Sequence, residues 1–272
     1  MPAPPQPLST LPAEVCRGLV GVFCDIDDTL TWEGRLIPEA FMGLHALQRA
    51  GLRVVPVTGR PAGWVDHIAR MWPVDGCVGE NGGLWFYLAE GKLQRRFLQD
   101  EATRIAHRAT LDAAAGTILA AVPGTALASD QPYRELDLAI DFCEDVPPLD
   151  LASVGRISAE FARVGATSKV SSIHVNGWFG DFDKREGCRR LVEDRWNEDL
   201  GATRERWLYV GDSANDEPMF EVFPHAIGVA NVAEFLPRMA HWPGWITQGN
   251  GGHGFAQIVD HVLSHRRPVA EV

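Results

Sequence analysis

Three short runs, "LVGVFC" from Leu19, "VVPV" from Val54 and "WLYVG" from Trp207, are apolar without alternation. A strand with one wet face alternates polar and apolar residues, so an unbroken run demands cover on both faces. A parallel sheet between two layers of helices supplies it. The segments between the runs fit that demand. "IPEAFMGLHALQRAG" reads as a helix, with Pro38 near its start and Gly51 as its stop. "AGWVDHIARMW" follows "LRVVPVTGR" as a second helix, and "DGCVGENGG" re-enters the sheet before a glycine-rich turn. The order is βαβαβ, the mark of an open, mostly parallel α/β sheet.

The rhythm then changes. "LWFYLAEGKLQRRFL" reads as a hairpin turning at Glu90-Gly91. A helix over "DEATRIAHRATLDAAAGTILAAV" precedes "RELDLAIDFC", whose Leu136, Leu138, Ile140 and Phe142 recur with period two. A further helix, "LDLASVGRISAEFARVG", leads into "KVSSIHVNGWFG", a second alternating strand. The α/β rhythm resumes with the helix "KREGCRRLVEDRWNEDLG", the strand "RWLYVGDS", the short helix "NDEPMFEVF", the strand "HAIGVAN" and a last helix, "HGFAQIVDHVLSH". The expected class is α/β, a Rossmann-like parallel-sheet core with an inserted α+β cap domain. The core occupies 18–83 and 181–272, the cap 84–180, and the proline-rich residues 1–17 form a flexible leader. A chain of 272 residues is long enough for both parts.

Charge narrows the function. With 25 basic and 36 acidic residues the formal charge is −11, which argues against a nucleic-acid partner, since phosphate backbones need a basic face. A small anionic substrate stays admissible, because a local cation reverses the field in one cleft. The cysteines stand far apart and form no C-x-x-C pair, which suits free thiols in a reducing compartment. No basic segment precedes an apolar one at the N-terminus, and the apolar runs fall short of the roughly 18 residues a membrane helix needs. A cytoplasmic protein with no membrane partner is the expectation; the oligomeric state is left open.

Four polar clusters fall where core elements end or begin: Asp25-x-Asp27-Asp28-Thr29, Thr58-Gly59-Arg60, Lys184 in "GDFDKREG", and Gly211-Asp212-Ser213-x-x-Asp216. Singly, they read equally as a solvated acidic turn, a common strand-end turn, a surface lysine and an Asx-rich helix cap. The carboxyl ends of the strands in an open α/β sheet face one crevice, however, and three of the clusters follow strands directly. Asp25/Asp27 with Asp212/Asp216 make an oxygen-rich cage suited to Mg²⁺, which offsets the repulsion among carboxylates and attracts a phosphate. Phosphoryl transfer then needs an in-line nucleophile, a proton donor and cations around the equatorial oxygens. Asp25 suits the nucleophile, Asp27 the acid and then the base, and Thr58, Gly59 and Lys184 the phosphoryl oxygens.

"DIDDT", the Thr58 of "VTGR", Lys184 of "FDK" and "GDSAND" resemble, in order, the four motifs of the haloacid dehalogenase (HAD) superfamily. The resemblance covers nearly everything after residue 18, and the insertion is similar to the type IIB cap of sucrose-phosphate and mannosyl-3-phosphoglycerate phosphatases. It implies a Rossmann-like core, Mg²⁺ dependence and an aspartyl-phosphate intermediate. It also implies metal ligation by the Asp25 side chain, the Asp27 backbone carbonyl and Asp212, with Asn215 and Asp216 completing the site directly or through water. The acid at position 27 points to a phosphatase of a sugar phosphate or related small metabolite. A phosphomutase of the phosphomannomutase type and a non-catalytic phosphate-ligand binding protein are the alternatives. Asp28 departs from the pattern, in which glycine is commonest.

"GNGGHG" (249–254) matches G-x-G-x-x-G, but eighteen residues are too few for the rest of a dinucleotide unit, so it reads as a loop before the last helix. The histidines show no zinc spacing. On the cap, Arg134 and Asp137 are placed towards the cleft, and His174, Asn176 and Trp178 alternate onto one strand face, a set suited to a hydroxyl-rich ligand. Lys169 and Arg134 are candidates for a second anionic group.

Overall fold

In a computed structural model of the chain, which describes residues 2–171 and 173–266, the elements follow the expected rhythm. The first part runs β1 (Gln6–Pro7), α1 (Ala13–Gly18), β2 (Gly21–Cys24), β3 (Thr31–Trp32), β4 (Arg35–Leu36), α2 (Pro38–Arg49), β5 (Arg53–Pro56), α3 (Ala62–Met71) and β6 (Cys77–Gly79). The middle runs β7 (Leu84–Ala89), β8 (Lys92–Phe97), α4 (Glu101–Ala121), β9 (Ala126–Leu127), β10 (Leu138–Asp141), α5 (Leu151–Arg163), β11 (Thr167–Val170) and β12 (His174–Trp178). The last part runs α6 (Lys184–Trp196), α7 (Leu200–Thr203), β13 (Trp207–Gly211), α8 (Glu217–Val222), β14 (His225–Gly228), β15 (Trp245–Ile246) and α9 (Gly251–Ser264).

The core sheet is parallel throughout, in the order β1-β15-β14-β13-β2-β5. Strands β2, β5, β13 and β14 are buried on both faces, as the unbroken apolar runs require. Val22, Cys24, Val54, Leu208, Val210 and Ile227 enter one cluster, with residues of α1, α2, α3 and α9. Phe23, Val55, Tyr209 and Ala226 enter the other, with α6 and α8. Chain order reverses across β2, since the chain leaves it towards β5 but returns on its other side through β13. The carboxyl end of β2 therefore opens into a crevice.

The second unit is the antiparallel sheet β11-β12-β10-β9, backed by α4 and α5. Its own apolar cluster runs from Leu111 to Val175 and includes Ile118, Ile140, Ile157 and Phe161. The architecture is thus an α/β parallel-sheet core carrying an α+β cap. No helix among the described residues is long and apolar enough to cross a membrane.

Four expectations need correction. "DGCVGENGG" does not add a strand to the core sheet: β6 pairs antiparallel with β7 and meets the core strands through the isolated bridge Val57–Val78. Of the expected leader 1–17, the described residues 2–17 are not loose: β1 pairs with β15, and Leu8, Leu11 and Cys16 are buried in the core. The prolines, with no N–H to lose, suit an edge strand and a helix start. The β7/β8 hairpin, expected in the cap, belongs to the core clusters through Leu84, Phe86, Leu93 and Phe97 on one side and Trp85 and Tyr87 on the other. "KVSSIHVNGWFG" is two strands, not one, because β11 and β12 pair antiparallel with Val170 opposite Val175. The turn Glu90-Gly91 is as expected, with φ of 51° and 71°, the left-handed pair of a tight hairpin.

Candidate active site

Asp25 follows β2 and extends its ladder, its N–H donating to the Val210 carbonyl at 2.9 Å. Thr58 follows β5, and its N–H donates to the Val78 carbonyl at 2.9 Å. Asp212 follows β13, and Ser213 opens a capping box with Asp216, whose carboxylate accepts from the Ser213 N–H. The same turn is thus a helix cap and a source of inward carboxylates. Lys184 occupies the first position of α6, where Asp183 caps the helix by accepting from the Arg185 and Glu186 N–H groups. That cap fixes the helix start so that the lysine points inward rather than to solvent.

The result is a buried ionic centre. Lys184 Nζ donates to Asp25 Oδ1 at 2.7 Å and to Asp216 Oδ1 at 2.6 Å. Asp216 Oδ1 also accepts from the Tyr209 hydroxyl, and Oδ2 from the Asp212 N–H at 2.9 Å. Asp212 accepts from the Thr29 hydroxyl and from Asn231 Nδ2, each at 3.3 Å. Carboxylate oxygens of Asp25, Asp212 and Asp216 all lie within 4.8 Å of one another. Burial drives the Asp25 carboxyl up to about 8; Lys184 pulls it back, while Asp216 and Asp27 add to the rise. Burial also raises Asp212, and Asp216 and Asp25 raise it further. One ammonium does not balance three carboxylates, and the donors are all hard oxygens, a set that fits a divalent cation such as Mg²⁺.

Asp27 lies outside that cluster. Arg60 Nε reaches its two oxygens at 3.1 and 3.0 Å, and Nη2 reaches Oδ1 at 2.9 Å. The same guanidinium crosses to the cap, with Nη2 at 3.0 Å from Glu144 Oε1 and Nη1 at 3.4 Å from Asp130 Oδ2. Hydrogen bonds from His174, reinforced by the Arg60 charge, hold Glu144 down at about 2. Arg134 returns the contact from the cap, donating to the Gly59 carbonyl at 2.9 Å while it pairs with Asp130 and Asp137. Beneath them Glu80 is fully buried, and its carboxylate accepts from the N–H groups of Ala62, Glu135, Leu136 and Asp137. Burial pushes it up to about 7, with Asp137 adding and Arg134 opposing.

The cleft between core and cap is lined by Asp25, Asp27, Gly59, Arg60, Arg134, Ser171, Ile173, His174, Asn176, Ser213 and Asn215. Arg134, His174 and Asn176 therefore reach it, as expected. Asp137 does not: it is fully buried and engaged by Arg134 and by Asn176 Nδ2 at 2.8 Å. Trp178 stacks on Phe182 away from the cleft, and Lys169 is exposed on β11. The Thr58 hydroxyl accepts from the Arg60 N–H at 3.0 Å, and Asn215 Oδ1 accepts from the Ser213 hydroxyl at 2.9 Å. Asp28 adopts φ of 54°, a conformation natural to the glycine it replaces.

Sequence reading missed Asn231, Glu80, Asp130 and Glu144. Asn231 Nδ2 also donates to the Asp28 carbonyl, and its Oδ1 accepts from the Gly251 N–H at 2.9 Å. One side chain thus ties Asp212, the first acidic loop and the start of α9 together. Of the "GNGGHG" stretch, Gly249 and Asn250 precede the helix as expected, but Gly251 to Gly254 form its first turn. A Cβ on Gly251 (φ +47°) would meet the Thr31 carbonyl oxygen at 2.3 Å, and one on Gly252 the Leu30 carbonyl oxygen at 2.5 Å.

Residues 22–112 match a family model described as haloacid dehalogenase-like hydrolase. A phosphoglycolate phosphatase of Methanoculleus marisnigri is 27% identical over 237 residues, spanning 86% of this chain and 93% of that protein. One from Thermoplasma acidophilum is 22% identical, spanning 87% and 95%. Among solved structures, a Thermoplasma acidophilum protein superposes with a TM-score of 0.67 at 19% identity, covering 90% of this chain and 99% of that one. The sucrose-phosphatase of Synechocystis, solved with sucrose and phosphate, gives 0.60 at 15% identity, with 90% and 98% coverage.

Proposed function

We propose that this chain, a haloacid dehalogenase-like hydrolase in its family match and in its fold, is a Mg²⁺-dependent phosphatase of a sugar phosphate or related small phosphorylated metabolite. The observation that carries the reading is the buried centre itself, in which Lys184 bridges Asp25 and Asp216 while Asp212 joins the same oxygen cluster.

Asp25 attacks phosphorus through a carboxylate oxygen, forming an aspartyl-phosphate as the P–O bond to the leaving group breaks. Asp27 donates its proton to the departing oxygen and then takes one from the water that cleaves the acyl phosphate. Lys184 steadies the nucleophile and neutralises charge on the phosphoryl oxygens; Gly59 lines the cleft, and Thr58, buried beside it, accepts from the Arg60 N–H. Asp25, Asp212 and Asp216, with the Asp27 carbonyl and Asn215 beside them, would hold Mg²⁺, which when bound supplies Lewis-acid stabilisation of phosphoryl charge. The cap supplies Arg134, His174 and Asn176 around the leaving group. Arg60 holds both Asp27 oxygens at the cleft, and Asp27 must leave that pairing before it carries a proton.

The test is inorganic phosphate release from phosphorylated sugars, polyols and glycerates, with Mg²⁺ and with EDTA. Release that requires Mg²⁺ is the expected result. A folded protein that frees no phosphate from any member rules the reading out.

A further inference from the structure

Beside the phosphoryl side of the cleft stand three groups able to hold an anion on a leaving group: Arg60, Arg134 and His174. Each is already engaged by a carboxylate of this chain. Arg60 is shared among Asp27, Asp130 and Glu144. The Arg134 side chain is 1% exposed and held by Asp130 and Asp137. His174 Nε2 lies 2.8 Å from Glu144 Oε2. Lys184 is spent on Asp25 and Asp216, and Lys169 does not reach the cleft.

A leaving group bearing a carboxylate must take one of the two arginines from its partner. That strands a half-buried or buried carboxylate beside the incoming one, the costly way to break such a pair. Hydroxyls impose no such exchange, because they both donate to carboxylates and accept from the amide and imidazole already there. Asn176 and Ser171 offer such polar edges on the same wall.

We propose that Glu144 is a specificity determinant: by occupying Arg60 and His174 from the cap side, it closes the site to phosphate esters with a carboxylate on the leaving group and leaves it open to neutral, hydroxylated ones. The proposal rests on the phosphatase reading above and names the substrate class of that same site. Glu144 pairs with Arg60, lies 2.8 Å from His174 Nε2, and is the more exposed of the two cap carboxylates on Arg60, with 27% of its side chain accessible against 9% for Asp130. A ligand in the cleft therefore meets Glu144 before Asp130.

Matched esters isolate the charge. The pairs are 2-phosphoglycolate against 2-hydroxyethyl phosphate, and 3-phosphoglycerate against glycerol 3-phosphate, each compared by kcat/KM with Mg²⁺ present. The wild-type protein should favour the neutral member of each pair by about tenfold or more, the ratio that a modest like-charge penalty produces. Glu144→Gln should narrow that ratio or reverse it, while Glu144→Asp, which keeps the charge, should preserve it. A merely structural role would lower both rates together and leave the ratio alone. The wild-type ratios require no variant to fold, and a preference for the carboxylate members overturns the proposal by itself. So does an unchanged ratio in a folded Glu144→Gln. Absence of Mg²⁺-dependent release from these four esters and from every sugar phosphate overturns the phosphatase reading, and this proposal with it.

Discussion

Lys184 shows how much one side chain decides at this site. It is 2% exposed, and its ammonium is the direct cationic partner of both Asp25 and Asp216. Burial disfavours its charge, yet the two carboxylates win and hold it above its ordinary value. Removing one partner of such a group leaves buried charge uncompensated, so Lys184→Ala should cost about 3–5 kcal/mol, read from urea unfolding in EDTA, and should end phosphate release. A wild-type unfolding midpoint would contradict the ion-pair assignment. Asp25→Asn should lower turnover by roughly 10³-fold or more while circular dichroism stays unchanged; near-normal turnover would remove Asp25 as nucleophile. Asn231 acts at one remove, through Asp212. Groups that orient a metal ligand are worth about 10–100-fold in metal affinity, so Asn231→Ala should weaken Mg²⁺ binding by that order in calorimetry, and unchanged affinity would leave it a structural tie only.

At the level of elements, the first turn of α9 matters beyond its own helix. Gly251 sits at φ +47° against the Thr31 carbonyl, where a methyl group must push the helix away from the loop that carries Asp27 and Asp28. Gly251→Ala should therefore destabilise the protein by about 1–3 kcal/mol, measured by thermal unfolding, and a neutral result would mean the helix start can shift freely. The N-terminal elements are a second case. Leu8 and Leu11 are 9% and 3% exposed, and burying a leucine side chain is worth about 1.5–3 kcal/mol. Deleting residues 2–12 should lower the melting temperature clearly, and an unchanged melt would restore the view of a loose leader.

Across the whole molecule, core and cap meet through charge, with Arg60 and Arg134 reaching across, and through Leu136, which joins the core's apolar cluster. The space enclosed between them is about 20 Å³, room for about one water molecule. Glu144 sets a pH window for the closed arrangement. Its folded value of about 2 lies below the ordinary 4.5, so its contribution is complete above about 4.5 and is lost as pH falls through about 2. The melting difference between wild type and Glu144→Gln should follow that course, and a difference that persists undiminished at the acid end would show that Glu144 acts otherwise. The sequence by itself determined the parallel core, because continuous apolar runs admit no other cover, and it pointed to Asp25, Asp27, Thr58 and Asp212 because the ends of such strands converge on one crevice, with Lys184 at a helix start beside them. It did not determine the allegiance of the β7/β8 hairpin, the order of residues 2–17 or the partners of Arg60. Those depend on which distant surface a side chain meets, and neither periodicity nor motif spacing encodes that. Glu80, Asp130, Glu144 and Asn231 look in the chain like any other polar residue in a turn; only folding brings the cap carboxylates onto Arg60, Glu80 under the cap and Asn231 onto Asp212.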